Sequence, residues 1–269
     1  MKENAVFSRP FTPRNILAGP LLLLAFLIIA SPAALAQDRD VVYQVSTIDA
    51  LLNGVYDGEI TYGQMAEHGD FGLGTFEGLD GEMVAVDGEF LQVRADGKVY
   101  PVSPDQTTPF AAVTFFDPDL AFAVENVASF EDLKAQILKQ IPDPNRFYAI
   151  LIKGDFSHVK TRSVPKQDKP YPPLAEVAKH QPEFEFNNVS GLLAGFYCPE
   201  FVQKINVTGF HLHFLNTEKT GGGHLLEVSM AKGDAALDMT PAFFMLLPDA
   251  ARDVDYSQDK SKELEEVEQ

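Results

Sequence analysis

The sequence has no tryptophan and a single cysteine, Cys198, among 269 residues. One thiol excludes an intrachain disulfide framework and any zinc finger built on paired cysteines. Positive charge is scarce as well, with 21 Lys and Arg against 39 Asp and Glu and a formal net charge of −18. Neutralising a phosphate backbone takes clustered Lys and Arg, so nucleic acid is not an expected partner. Apolar residues are plentiful. They make up 45% of the chain and include 21 Phe, enough to build a packed core and to argue against overall disorder.

The first 36 residues stand apart. Lys2, Arg9 and Arg14 precede an uncharged apolar run from Ile16 to Ala30, and Ala34-Leu35-Ala36 has the small-x-small form of a signal-peptidase site before Gln37. A run of about 15 residues is short of the roughly 20 needed to span a bilayer. Residues 1–36 are therefore read as a cleaved signal peptide. No comparable run follows, which predicts an exported chain, periplasmic or secreted, with no membrane partner after cleavage.

From Val41 the pattern reads as a strand (VVYQV), an N-cap at Ser46 or Thr47, a helical IDALLNG closed by Gly54, and a helical turn from Tyr62 to His68. The period then changes to two in FGLGTFEG, GEMVAV, EFLQV and KVYPV. Asp87-Gly88 and Asp96-Gly97 separate these strands, and such pairs favour type I′ hairpin turns because both central residues need positive φ. AAVTFF adds a strand, and Ser129 caps a helix DLKAQILKQI that Pro142 and Pro144 terminate. The second half restarts with FYAILIKGDFSHVKTRSV, read as two strands hinged at Gly154-Asp155. A helical LAEVAKH follows, then the apolar runs GLLAGFYC, GFHLHFL, HLLEVSM and AFFMLLP. Both halves run strand, helix, meander, which points to an α+β class with a duplicated βα-meander unit. The expected divisions are an N-terminal meander domain at 37–146, a C-terminal metal-binding domain at 147–248, and an acidic tail at 249–269. The tail is expected to be solvated, although LEEVE could close one helical turn.

Three of the six histidines are close in sequence: His211, His213 and His224. In a strand, residues i and i+2 share a face, so His211 and His213 project side by side while Leu212 points into a core. NTEKTGGG is a polar, glycine-rich turn that returns the chain, and His224 opens the next strand, where it can face the other two. Three imidazoles without a thiolate suit zinc or another borderline divalent metal, and a three-histidine set with an open position is the catalytic type. HxH followed by Glu218 has the start of a cupin motif, but Leu225 stands where that motif has glycine. On these residues alone, a secreted zinc hydrolase and a periplasmic metal-binding protein both fit. Gly72 and Gly74 form no phosphate loop, because neither GxGxxG nor GK[ST] follows. Cys198 reads as a small buried apolar residue rather than a nucleophile.

GFHLHFLNTEKTGGGH, together with EFEFNNVSGLLAGFY, KTRSVPKQDKPYPPLAEV, STIDALLNGVYDGEITYGQMAEHGDFGLGTFEGLDGEM and TPFAAVTFF, resembles α-acetolactate decarboxylase from about Tyr43 to about Pro248. The resemblance implies a two-domain, mixed α/β subunit with duplicated βα-meander units, a mixed sheet and a barrel-like second half. It also implies a homodimer with one zinc ion per subunit that converts (S)-2-acetolactate to (R)-acetoin and CO2. Carried over residue by residue, it makes His211, His213 and His224 the metal ligands. Glu82 in the DGEM block becomes the active-site carboxylate, Arg162 in the TRSVP block the arginine, and Glu268 of the tail a second carboxylate, with Glu265 or Glu266 as alternatives.

The chemistry agrees with that set. Loss of CO2 from a 2-hydroxy-3-oxo acid sends electrons into the neighbouring ketone and leaves an enediolate. A Lewis-acid metal stabilises such charge, and a carboxyl group held nearby, Glu82 first and Glu268 second, can protonate it on one face. Arg162 would hold the substrate carboxylate or an enediolate oxygen through its fork of donors, against the repulsion of an acidic protein. By composition alone, Arg162 is one basic residue among Lys160, Lys166 and Lys169, and Glu82 could be a solvated strand-edge residue. Activity is expected to fall on acidification as the histidine ligands protonate.

Overall fold

The computed structural model describes residues 39–268, and the expected signal peptide at 1–36 lies outside them. The first half runs β1 (Val41–Val45), α1 (Ile48–Leu52), β2 (Ile60–Thr61), α2 (Tyr62–Ala66), β3 (Phe71–Thr75), β4 (Glu82–Val86), β5 (Glu89–Val93), β6 (Val99–Pro101), β7 (Thr107–Thr108), β8 (Ala111–Thr114), β9 (Leu120–Val127) and α3 (Phe130–Leu138). The second half runs β10 (Phe147–Arg162), α4 (Leu174–Ala178), β11 (Glu183–Cys198), β12 (Gly209–Asn216), β13 (Gly222–Thr240), β14 (Ala242–Leu246) and α5 (Ser261–Glu268). The class is mixed α+β, with strands dominant. Among the described residues, no helix is long and apolar enough to cross a membrane.

Several local signals act as their chemistry requires. The Thr47 hydroxyl accepts the Ala50 N–H at the start of α1, Thr61 and Gln64 form a capping box on α2, and Ser129 caps α3. Asp87 and Gly88 both take positive φ, as a type I′ hairpin needs. Asp96-Gly97 behaves differently. Only Gly97 has positive φ, and the Gly97 amide donates to the Arg94 carbonyl while Arg94 pairs with Lys98, so this hairpin has a longer loop with glycine at its left-handed position.

Seven strands form a sheet in the order β14-β1-β8-β3-β4-β5-β6, with β1 and β14 parallel and the other pairs antiparallel. A second, antiparallel sheet runs β10-β11-β12-β13-β9. In it, β10 pairs with both β11 and β13, and β12 also pairs with both, so these four strands are joined in a ring of pairings. The two sheets do not follow the two halves of the sequence. β9 comes from before residue 146 yet joins the second sheet, and β14 comes from after it yet joins the first. The described residues, 39–268, fall within one compact unit.

The expected hinge at Gly154-Asp155 is absent, because β10 is one strand of 16 residues. Pairing on both sides continues through it, with Gly154 opposite Gly191 on one side and Gly233 on the other, and the pairing with β13 only shifts register between Asp155 and His158. A Cβ at Gly154 would meet Met230 Cε at 2.7 Å and the β13 backbone at Lys232 O and Gly233 Cα at 3.0 and 3.1 Å, so close packing rather than a turn explains this glycine. The tail is not solvated throughout either. Val267 of α5 is buried and packs with Ile48, Leu51, Leu174 and Val177, burying an apolar stripe that the acidic composition hides.

The face of the first sheet that carries Phe71, Leu73 and Val84 packs against Ala149, Ala194 and Phe196 of the second. Cys198 is buried in this same layer, and burial pushes its thiol up to about 12, as expected of an inert apolar cysteine. The other side of the second sheet encloses a core with Leu212, Phe214, Leu225 and α3. Leu212 therefore points away from its neighbouring histidines.

Candidate active site

His211 and His213 stand two apart on β12, and the β12–β13 register sets His213 opposite His224. The three ring centroids lie 4.9 to 5.5 Å apart, and one potential ligand atom from each residue lies within 4.8 Å of the others. The hairpin that closes this geometry needs glycine. At Gly223, φ is +133° and a Cβ would sit 2.4 Å from the Arg162 carbonyl oxygen, so only glycine lets β10 pass beside His224.

The contacts assign the ring atoms. His213 Nδ1 lies 2.8 Å from the Met83 carbonyl, which accepts its N–H and leaves Nε2 as the lone-pair nitrogen; that buried Nε2 has no hydrogen-bond partner. His224 Nδ1 and His211 Nε2 face each other at 3.2 Å. Two nitrogen ligands on one tetrahedral zinc ion, each at roughly 2.0–2.1 Å, stand about 3.3 Å apart. His224 Nε2 is turned outward, 3.7 Å from Glu268 Oε2. The set therefore fits a divalent cation. Three nitrogens converge, and a backbone carbonyl and a carboxylate lie at the far sides of two of the rings, where outer partners orient ligands.

Glu82 opens β4 across from this cluster, with Oε2 3.6 Å from His213 Nε2. The turn before it is tight. Gly81 has φ +90°, a Cβ there would sit 2.2 Å from the Val93 carbonyl oxygen, and the Thr75 hydroxyl donates to the Gly81 carbonyl at 2.7 Å. Arg162 ends β10, just after a register shift between Lys160 and Thr161 that leaves Leu226 of β13 unopposed and brings Arg162 level with His224. Its Nη1 donates to Glu82 Oε1 at 3.2 Å and its Nη2 to the Val267 carbonyl at 2.9 Å, with Glu268 Oε1 4.0 Å from Nη2. Its buried Nε–H has no partner in the structure.

All the residues singled out in the sequence thus come together: His211, His213, His224, Glu82, Arg162 and Glu268 line one cavity. Glu265 and Glu266 are exposed and line no part of it. Several contributors have no signal in the sequence. The Met83 carbonyl is one, since a backbone acceptor leaves no residue signature. The apolar wall of Ile48, Leu51, Leu79, Phe110, Val164, Leu174 and Val267 is another, because each of these reads as ordinary core.

Burial dominates the electrostatics. It pushes Glu82 up to about 7, opposed by the Arg162 charge and reinforced by Glu268, and it pushes Glu268 up to about 7, again opposed by Arg162. Burial holds His211 down to about 3, with Arg162 adding to the fall, and keeps His213 and His224 well below the ordinary 6.5. Neutral imidazoles are the form that a metal binds, and carboxyl groups balanced near neutrality can give or take a proton.

Comparison with known proteins agrees with this geometry. The family profile described as alpha-acetolactate decarboxylase matches residues 42–260, stopping short of Glu268. The alpha-acetolactate decarboxylase of Methanosarcina mazei is 50% identical over 85% of this chain and 80% of its own, and that of Methylococcus capsulatus is 47% identical over 84% and 88%. The crystal structure of alpha-acetolactate decarboxylase from Bacillus subtilis strain 168 superposes with a TM-score of 0.83 at 38% identity, covering 85% of this chain and 99% of that one. With three imidazoles, two carboxyl groups and an arginine assembled on a fold shared with these enzymes, the chain belongs to the alpha-acetolactate decarboxylase family.

Proposed function

We propose that this protein is a carboxy-lyase that converts (S)-2-acetolactate to (R)-acetoin and CO2. The observation that carries the reading is the placement of Glu82 and Glu268 beside two different histidines of one cluster, with Arg162 reaching toward both carboxylates. Family membership favours neither a hydrolase nor a metal carrier.

His211, His213 and His224 would hold a zinc ion, the cation that best suits three neutral imidazoles. Such an ion supplies Lewis-acid chemistry, drawing the electron pair left by departing CO2 toward the ketone oxygen. The chain's own residues do the rest. Arg162 keeps the Glu82 carboxyl and the last turn of α5 in place, and its unpartnered Nε–H is a donor for a substrate oxygen. A protonated Glu82 or Glu268 delivers its proton to the carbon that lost CO2, and its fixed position selects one face. The apolar wall excludes water that would otherwise compete as the acid.

The same reading takes the ring of pairings among β10, β11, β12 and β13 as the barrel-like second half. It takes the strand, helix and meander order of both halves as a duplicated unit. It also makes the protein an exported homodimer with no nucleic-acid partner: residues 1–36 have the signal-peptide pattern, and the net charge of −18 repels polyanions. N-terminal sequencing of the exported protein should begin at Gln37, and light scattering should give twice the subunit mass.

The direct test supplies racemic 2-acetolactate to the purified protein and measures acetoin and its enantiomers by chiral chromatography. Formation of (R)-acetoin that stops on chelation and returns with zinc is expected. Acetoin no faster than the spontaneous rate would overturn the reading.

A further inference from the structure

From the lining of the cavity, we infer that Val267 sets the size of the alkyl group that this site accepts, an inference that rests on the decarboxylase reading. The cavity has two chemical sides. One is polar, formed by the histidines, Glu82, Arg162 and Glu268. The other is apolar, formed by Ile48, Leu51, Leu79, Phe110, Val164, Leu174 and Val267. A 2-alkyl-2-hydroxy-3-oxo acid divides in the same way. Its carboxylate, hydroxyl and ketone belong to the polar side, and its C2 alkyl group has only the apolar side to bury against.

Val267 differs from the other wall residues in how it is held. Ile48 and Leu51 lie within α1, Leu174 opens α4, Leu79 ends a short 3-10 turn before β4, and Phe110 and Val164 lie in the connections beside β8 and β10, all within the apolar cluster. Val267 lies in the last turn of the terminal helix α5, is only 2% exposed, and has its carbonyl bonded to Arg162 Nη2 at 2.9 Å. Arg162 also holds Glu82, and the residue after Val267 is Glu268. The wall that meets the alkyl group and a candidate proton donor are thus consecutive residues secured by one guanidinium. A change of side-chain volume at position 267 alters the room for alkyl groups while the ligands and the arginine stay in place.

The test compares 2-acetolactate with its homologue carrying an ethyl group at C2, using kcat/KM for each with the zinc-loaded protein and two variants. A methylene in an apolar pocket is worth at least about tenfold in discrimination, and a wall formed by several residues adjusts in part. V267A is therefore expected to raise the ethyl-to-methyl ratio of kcat/KM at least about fivefold, and V267I to lower it by a similar factor. A change of opposite sign in the two variants supports the inference, since a general loosening of the tail would move both substrates alike. Parallel changes for both substrates, or an unchanged ratio in both variants, would overturn it. The wild-type protein separates the two levels: no acetoin from 2-acetolactate overturns the decarboxylase reading and this inference with it. Turnover with an invariant ratio overturns this inference alone.

Discussion

Glu82 and Arg162 come from different sheets, at the start of β4 and the end of β10, and meet in a buried ion pair 3.2 Å long. The same guanidinium binds the Val267 carbonyl, so one side chain joins both sheets and the terminal helix at the point where the imidazoles converge.

Replacing Arg162 with Lys keeps the charge but removes the two-pronged donor geometry. Steady-state assays on R162K should show kcat lowered at least about 100-fold, the loss typical of one misplaced electrostatic donor. R162A leaves Glu82 buried without its cation, and urea unfolding of the metal-free protein should show a loss of about 3–5 kcal/mol.

His213 faces two ways, with Nε2 toward the other two imidazoles and Nδ1 bonded to the Met83 carbonyl. H213A should lose at least about 100-fold in zinc affinity, more than is usual for an outer partner alone. Metal analysis after gel filtration checks this, and a variant that keeps one zinc ion per subunit refutes the ligand assignment.

The tail prediction distinguishes the acids. If Glu268 delivers the proton, E268Q lowers kcat by about 10²- to 10⁴-fold and erodes the enantiomeric purity of the acetoin, which chiral chromatography reads. E265Q and E266Q alter exposed positions and should keep kcat within about twofold, the usual size of a surface change.

The pH dependence follows from the buried groups. In the metal-free protein the three imidazoles have lowered values, so the unfolded chain gains their protons first, and stability falls as pH drops below 6.5. Glu82 and Glu268 have raised values, so they lose stability in the other direction, as pH rises from 4.5 toward about 7. Asp238, also raised to about 7 by burial, acts the same way, so between these limits three carboxyl groups offset three imidazoles and the net slope is near zero. Below the ordinary carboxyl values that offset is lost, the lowered imidazoles dominate, and stability falls more steeply with acid. Urea midpoints across this range test the break. The loaded enzyme should then keep its metal and activity through mild acid, losing them only below about pH 5, because the folded imidazoles resist protonation. That moves the expected acid loss lower than free histidines would give.

Part of this molecule is legible residue by residue. Thr47, Thr61 and Ser129 cap helices because a hydroxyl can satisfy a free N–H within its own turn. Asp87-Gly88 turns a hairpin because both residues tolerate positive φ. Gly154 was misleading for the opposite reason: a glycine that permits a turn is identical, in sequence, to one that makes room for Met230. Asp96-Gly97 formed a hairpin of another type, since loop length is decided by the paired strands around it.

The sequence by itself determined the strand that holds His211 and His213 on one face, the glycine-rich return to His224, and, through family resemblance, which carboxylates and arginine to examine. Alternation and turn chemistry are local, so a short window contains them. Only the tertiary structure decided that β9 and β14 exchange between sheets, that Arg162 grips Glu82 and the terminal helix together, and that Val267 and Glu268 close the cavity. Those outcomes depend on burial shared by segments far apart in the chain, as the pairing of Val41 with Ala242 and the bond from Arg162 to Val267 show, where apolar contact and desolvation outweigh the solvated tail that an acidic composition implies.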